Sequence, residues 1–219
     1  MIPDIKRFEL ICVIVNYGLG SKVLKIAKQE GISGGTVLLG KGTVKNRLLE
    51  ILEINDIRKE VVLLVTDCAL VDAALKSLDR EVQFRKPYHG IAFTIPVGAF
   101  LGTGDYNYKS HFIDGGKKEN MYQSLFIIVD KGKGEDVMSA ATSAGARGGT
   151  IINARGSGIH ETSKLFNMEI EPEKELVMIL AENALIDSIV SEVSTAMEID
   201  KPGNGILFLL NVNKIMGLR

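Results

Sequence analysis

Apolar runs alternate with helix-period stretches along this chain. Ile11-Cys12-Val13-Ile14-Val15 is a continuous, largely β-branched run, the pattern of a strand buried on both faces. From Gly20 to Glu30, Val23, Leu24, Ile26 and Ala27 recur at helical spacing, and Gly31 stands where a glycine C-cap would end that helix. Thr36–Leu39 reads as a second strand and Val61–Thr66 as a third. A second helix starts at Asp67 or Cys68 and sets Leu70, Val71, Ala74, Leu75 and Leu78 on one face. Gly90–Val97 is a fourth strand. The order βαββαβ is the split ferredoxin-like unit, one sheet covered on one face by two helices. Strands that are apolar throughout need cover on the other face too, which favours assembly through the sheet.

The same landmarks return in the same order at an offset of about 115 residues. Gly18-Leu19-Gly20 after the first apolar run matches Gly132-Lys133-Gly134 after Leu125–Val129. Gly31–Thr36 matches Gly145–Thr150, and Glu60–Val65 matches Glu175–Leu180. Ala69-Leu70-Val71-Asp72 matches Ala184-Leu185-Ile186-Asp187, and Lys86–Phe93 matches Lys201–Phe208. The expected fold class is therefore α+β: two tandem ferredoxin-like βαββαβ domains. The first copy spans 8–102 and the second 121–219, with a linker at 103–120 rich in turn formers and charges. In each copy the connection between strands two and three is long, Lys41–Lys59 and Arg155–Lys174, where hairpins usually use two to five residues. Long connections of this kind are either functional or simply structural loops, and Val44, Leu48, Leu49 and Ile51 suit a structural helical turn.

Composition narrows the function class. The chain has 219 residues, a net charge of −1, 46% hydrophobic and 24% charged residues. That balance is ordinary for a globular protein and lacks the basic excess of a nucleic-acid binder. No apolar run approaches the roughly 20 residues that span a bilayer, so no membrane insertion is expected. Met1–Arg7 has no signal-peptide pattern, and a cytoplasmic location is the default expectation. Cys12 and Cys68 sit in apolar contexts and read as small core residues. His160-Glu161 matches no zinc spacing, no metal ligand set stands out, and no catalytic residue set is evident, so no enzyme is expected. Asp72 and Asp187, at helix starts, suit the helix dipole.

The element order, the Gly-x-Thr entering the second strand, the Arg155-Gly156-Ser157-Gly158 stretch and the Lys201-Pro202-Gly203-Asn204-Gly205-Ile206-Leu207-Phe208 turn together resemble the PII nitrogen-regulatory signalling family. The likeness spans nearly all of each copy and is stronger in the second. It implies a signal-transduction regulator with PII-like tandem domains. Such a protein binds an adenine nucleotide, ATP or ADP, in inter-domain clefts and controls a partner through its long loops in nitrogen-linked regulation. The partner it implies is a regulated protein such as a membrane transporter or an enzyme, and the state it implies is a homo-oligomer. Carried across, nucleotide binding would fall to Thr150, Arg155, Gly156, Gly158, Lys201, Gly203, Asn204, Gly205 and Arg219. The partner-binding loop would carry His160, Glu161, Lys164 and Phe166. Glycine there lets backbone N–H groups approach an anion, and nearby cations stabilise its charge.

The chain also departs from the family pattern. Ile206 and Ile91 stand where a lysine commonly follows the glycine turn, Gly217 replaces a second C-terminal arginine, and Tyr88 replaces the first copy's turn glycine. His160 and Asn46 replace the glutamine that helps bind 2-oxoglutarate, and neither long loop has a tyrosine. The recognisable ligand chemistry thus concentrates in the second copy. The alternative is a PII-fold binding or scaffold protein that has lost nucleotide binding, and Lys-Pro-Gly-Asn-Gly is good turn chemistry with no ligand at all.

Overall fold

A computed structural model describes residues 7–42, 57–102, 122–158, 164–165, 168–169 and 171–212. The chain divides into two compact units, Met1–Ile95 and Pro96–Arg219. The first holds β1 (Phe8–Asn16), α1 (Gly20–Gln29), β2 (Gly35–Gly42), β3 (Ile57–Asp67), α2 (Cys68–Val82) and β4 (Gly90–Val97), whose last residues cross the division. The second holds β5 (Ala99–Leu101), β6 (Tyr122–Asp130), α3 (Gly134–Ser143) and β7 (Gly149–Ser157). It continues through β8 (Lys164–Leu165), β9 (Met168–Glu169), β10 (Glu173–Glu182), α4 (Asn183–Ala196) and β11 (Ile206–Val212).

Strands in the first unit run in the order β4-β1-β3-β2, and in the second β7-β10-β6-β11 with β5 outside β11. Both are the ferredoxin-like order, with the first and third strands central. The central pairs are antiparallel, Ile11 opposite Leu64 and Leu125 opposite Ile179. The tandem ferredoxin-like α+β fold expected from the pattern is the observed one.

Each unit has its own core on the helix side. In the first, Ile11, Val13 and Val15 of β1 and Val62 and Leu64 of β3 pack with Val23, Leu24, Ile26 and Ala27 of α1 and with Val71, Ala74 and Leu78 of α2. In the second, Leu125, Ile127 and Val129 pack with Val137 and Ala141 of α3 and with Ile186, Ile189, Val190 and Val193 of α4. Burying each such aliphatic side chain contributes roughly 1.5–3 kcal/mol before entropy is charged against it. Alternate positions on the strands, Leu10 and Cys12 in one unit and Leu176 and Phe208 in the other, are buried as well. That explains why the runs read as continuously apolar. Burial pushes the Cys12 thiol up from its ordinary value, in keeping with a core residue rather than a nucleophile.

Two local readings change. The cap of α2 is Asp67, whose carboxylate accepts from the Ala69 N–H at 2.9 Å, whereas Asp72 lies farther along the helix and is exposed. The first unit also ends earlier than residue 102. Residues 99–101 form β5 and pair with β11, Phe100 opposite Phe208. A three-residue strand is too short to show alternation in sequence. The proposed linker at 103–120 lies outside the described residues, as do 43–56 of the first long connection.

Candidate functional site

A repeated electrostatic clasp frames one end of each unit. In the first, the Gly20 N–H at the start of α1 donates to Glu60 Oε2 at 2.6 Å, and Glu60 is 1% exposed. In the second, the Gly134 N–H at the start of α3 donates to Glu175 Oε2 at 2.7 Å. A strand carboxylate thus satisfies an orphan helix N–H and faces the positive end of the helix. One residue earlier on each strand, a lysine reaches the end of the first strand. Lys59 Nζ donates to Asn16 Oδ1 at 2.5 Å, and Lys174 Nζ to Asp130 Oδ1 at 2.6 Å. Lys-Glu recurs in both copies because these two contacts recur.

The candidate turn lies between α4 and β11. Glu198 carries φ 49° and Gly203 φ 94°, and the Asn204 N–H donates to the Lys201 carbonyl at 3.2 Å. Asn204 Nδ2 donates to the Glu198 carbonyl, and Lys201 Nζ reaches Glu198 Oε1 at 2.6 Å. Lys201 through Asn204 are exposed, and a Cβ at Gly203 would meet no atom within 4 Å. Gly205 is different, since a Cβ there would lie 2.5 Å from the Ile128 carbonyl oxygen. Gly203 leaves open space for an approaching group, whereas Gly205 lets β11 lie close to β6.

The matching turn in the first unit keeps this backbone with other side chains. Gln83 carries φ 60° and Tyr88 φ 66°, at the positions of Glu198 and Gly203. A bulky residue in the left-handed region is strained by roughly 1–2 kcal/mol, and the Tyr88 side chain stands exposed where the second copy has open space. Its carbonyl accepts from Asn16 Nδ2 at 3.4 Å.

The second group of candidates lies on β7. Arg155 and Gly156 are strand residues, not loop residues, because β7 continues to Ser157. Arg155 sits opposite Glu173, and its Nε donates to Glu171 Oε2 at 2.7 Å with the two side chains 28% and 15% exposed. The Gly156 N–H donates to the Pro172 carbonyl. Thr150 and Gly158 are exposed. Two strands, β10 and β6, separate β7 from β11, so the two groups lie roughly 14 Å apart at one strand spacing per step. The unit does not bring them together into a single pocket. Lys164 belongs to the short strand β8, opposite Glu169 of β9. His160, Glu161, Phe166 and Arg219 lie outside the described residues.

Among the described residues there is no group of three or more His, Cys, Asp or Glu side chains that could hold a metal ion. Among them, too, no helix is long and apolar enough to cross a membrane.

Among solved structures, the B. subtilis GlnK–ATP complex is 16% identical, with a TM-score of 0.35, over 44% of this chain and 85% of that one. A second structure of B. subtilis GlnK is 15% identical, with a TM-score of 0.33, over 42% of this chain and 85% of that one. The ligand-free regulatory subunit of aspartate kinase from Thermus thermophilus is 11% identical, with a TM-score of 0.37, over 87% of this chain and 93% of that one. No curated protein matches in sequence. Residues 122–219 match the family model described as nitrogen regulatory protein P-II. That segment, the second half of the chain, is similar to the nitrogen regulatory protein P-II family, and the first half repeats the fold of the second.

Proposed function

We propose that this chain is a PII-type signal-transduction regulator, not a catalyst, and that it binds an adenine nucleotide, ATP or ADP, through its second copy. The observation that carries this reading is the P-II match over 122–219, a segment that contains every candidate residue from Thr150 to Arg219. The exposed turn supports it chemically: a glycine at φ 94° with open space above it leaves room for a phosphate beside the Lys201 ammonium. In this reading the turn and the β7 group, being too far apart to grip one phosphate chain together, each line half of a cleft between neighbouring domains of a homo-oligomer. The segment with His160, Glu161, Lys164 and Phe166 would contact the regulated protein, a transporter or an enzyme in nitrogen-linked control.

Calorimetry on the full chain with ATP, ADP and AMP tests the nucleotide. Binding is expected, and Gly203→Tyr, which installs the first copy's residue, is expected to abolish it. Arg155→Ala is expected to weaken it tenfold or more, as a lost charge-assisted contact is worth roughly 1.5–3 kcal/mol. No heat and no thermal shift with any of the three would overturn the reading. A second reading, a scaffold that has lost its nucleotide, is favoured by the ion pairs Arg155–Glu171 and Lys201–Glu198, which already engage two of the candidate cations.

A further inference from the structure

Only one asparagine in the chain is followed by glycine: Asn204, with Gly205 after it. The pairing matters because glycine has no side chain to keep its backbone nitrogen away from the carboxamide of the residue before it. Every other asparagine precedes a residue with a side chain, such as Asn16 before Tyr17, Asn153 before Ala154 and Asn211 before Val212. The fold leaves the pair open. Asn204 is exposed, in the turn between α4 and β11. The ladder with β6 begins one residue beyond Gly205, at Ile206 opposite Ile128, so the Gly205 nitrogen stands ahead of that pairing. Among the described residues, the Asn204 carboxamide is held by Nδ2 donating to the Glu198 carbonyl at 3.2 Å, the long end of the range for such bonds.

We propose that Asn204 is a modification site, at which the chain converts an amide to a carboxylate without an enzyme. The Gly205 backbone nitrogen bonds to Asn204 Cγ and closes a succinimide ring. The bond from Cγ to Nδ2 breaks, and that nitrogen leaves as ammonia with the proton that the Gly205 nitrogen gives up. Water then adds to one of the two ring carbonyls. Opening at Cγ leaves aspartate, and opening at the backbone carbonyl carbon leaves isoaspartate. Nothing is oxidised or reduced, and water is the co-reactant. Either product changes the turn. A carboxylate only accepts, so the Glu198 carbonyl loses its donor from position 204. A negative charge is also added to the turn that holds the Lys201–Glu198 ion pair. Isoaspartate further inserts a carbon into the main chain between Gly203 and Gly205, at the entry to β11. The first unit has no equivalent, because His89 precedes Gly90 there. The modification therefore marks one copy of the duplication. In the nucleotide reading, on which this last consequence rests, the added charge repels a phosphate chain at Gly203 and conversion switches the second copy off.

The full chain is held for days in warm, mildly alkaline buffer, one portion folded and one unfolded in urea. Both are digested and mapped by mass spectrometry, with the converted residue located by fragmentation. In the folded portion, Asn204 is expected to gain the mass of an amide exchanged for an acid at least tenfold faster than Asn16, Asn153 or Asn211, with isoaspartate present. No conversion of Asn204 in the folded chain, with the urea portion converting normally, would overturn the proposal. So would a folded-chain rate at Asn204 no higher than at the other three. Calorimetry with ATP then compares fresh, aged and Asn204→Asp protein. A tenfold or greater loss of affinity is expected in the last two, and an unchanged affinity would overturn the switching consequence. If fresh protein binds no nucleotide while Asn204 still converts, the nucleotide reading fails and the modification site stands.

Discussion

The two units share a backbone down to its unusual conformations yet differ in what their side chains leave open. At the turn before the last strand, Gly203 and Tyr88 both sit in the left-handed region, one residue suited to it and one strained by it. At the last strand itself, Phe208 is buried on β11, which β5 flanks, while Phe93 stands exposed. The second unit therefore presents open space and polar groups at its turn, and the first presents aromatic and aliphatic surface. A duplicated fold has retained its scaffold contacts while its exposed surfaces diverged, and the two copies can carry different tasks for that reason.

The largest test of the shared scaffold is at the close approach of the last strand to the first. Gly205→Ala would push a Cβ against the Ile128 carbonyl oxygen, and Gly90→Ala against that of Ile14, both at positive φ. Each is expected to cost about 3 kcal/mol or more, read as a lowered denaturation midpoint. A mild effect in either copy would break the equivalence.

The clasp sharpens the comparison at a smaller scale. Glu60 is almost wholly buried and Glu175 is partly exposed, so Glu60→Ala is expected to destabilise by about 2–3 kcal/mol and Glu175→Ala by about 1 kcal/mol. Equal losses in chemical denaturation would show that burial does not set the difference. The smallest effect is at the turn. Tyr88→Gly relieves the strain while loosening the unfolded chain, and is expected to stabilise by up to about 1 kcal/mol. A destabilised variant would show that the Tyr88 ring makes contacts that outweigh its backbone cost.

Much of this fold was legible because its signals are local. The apolar runs gave the central strands, and the glycines and Asp67 marked helix ends. The repeat supplied the domain plan. The misses have physical causes. β5 is three residues long and owes its existence to a partner strand more than a hundred residues away. The clasp pairs Gly20 with a carboxylate forty residues on, a contact that no spacing rule encodes. Arg155 read as a loop cation because Arg-Gly-Ser-Gly is loop chemistry, yet pairing with Glu173 continues the strand through it. For the candidate site, sequence named the turn correctly as a turn, and its separation from the β7 group depended on a strand order that sequence reading supplied only through the fold.

The clasp also constrains how these two copies can change. A methyl group at Gly20 would meet Glu60 Oε2 at 2.7 Å and Val37 at 2.8 Å, and one at Gly134 would meet Glu175 Oε2 at 2.7 Å. Glycine and glutamate in each copy are therefore locked by one another. The glutamate cannot shorten without stranding the helix N–H, and the glycine cannot grow while the glutamate is there. Drift at this pair must pass through a less stable single change before a compensating one, a barrier to divergence that adjacent exposed positions such as Tyr88 and Gly203 do not share.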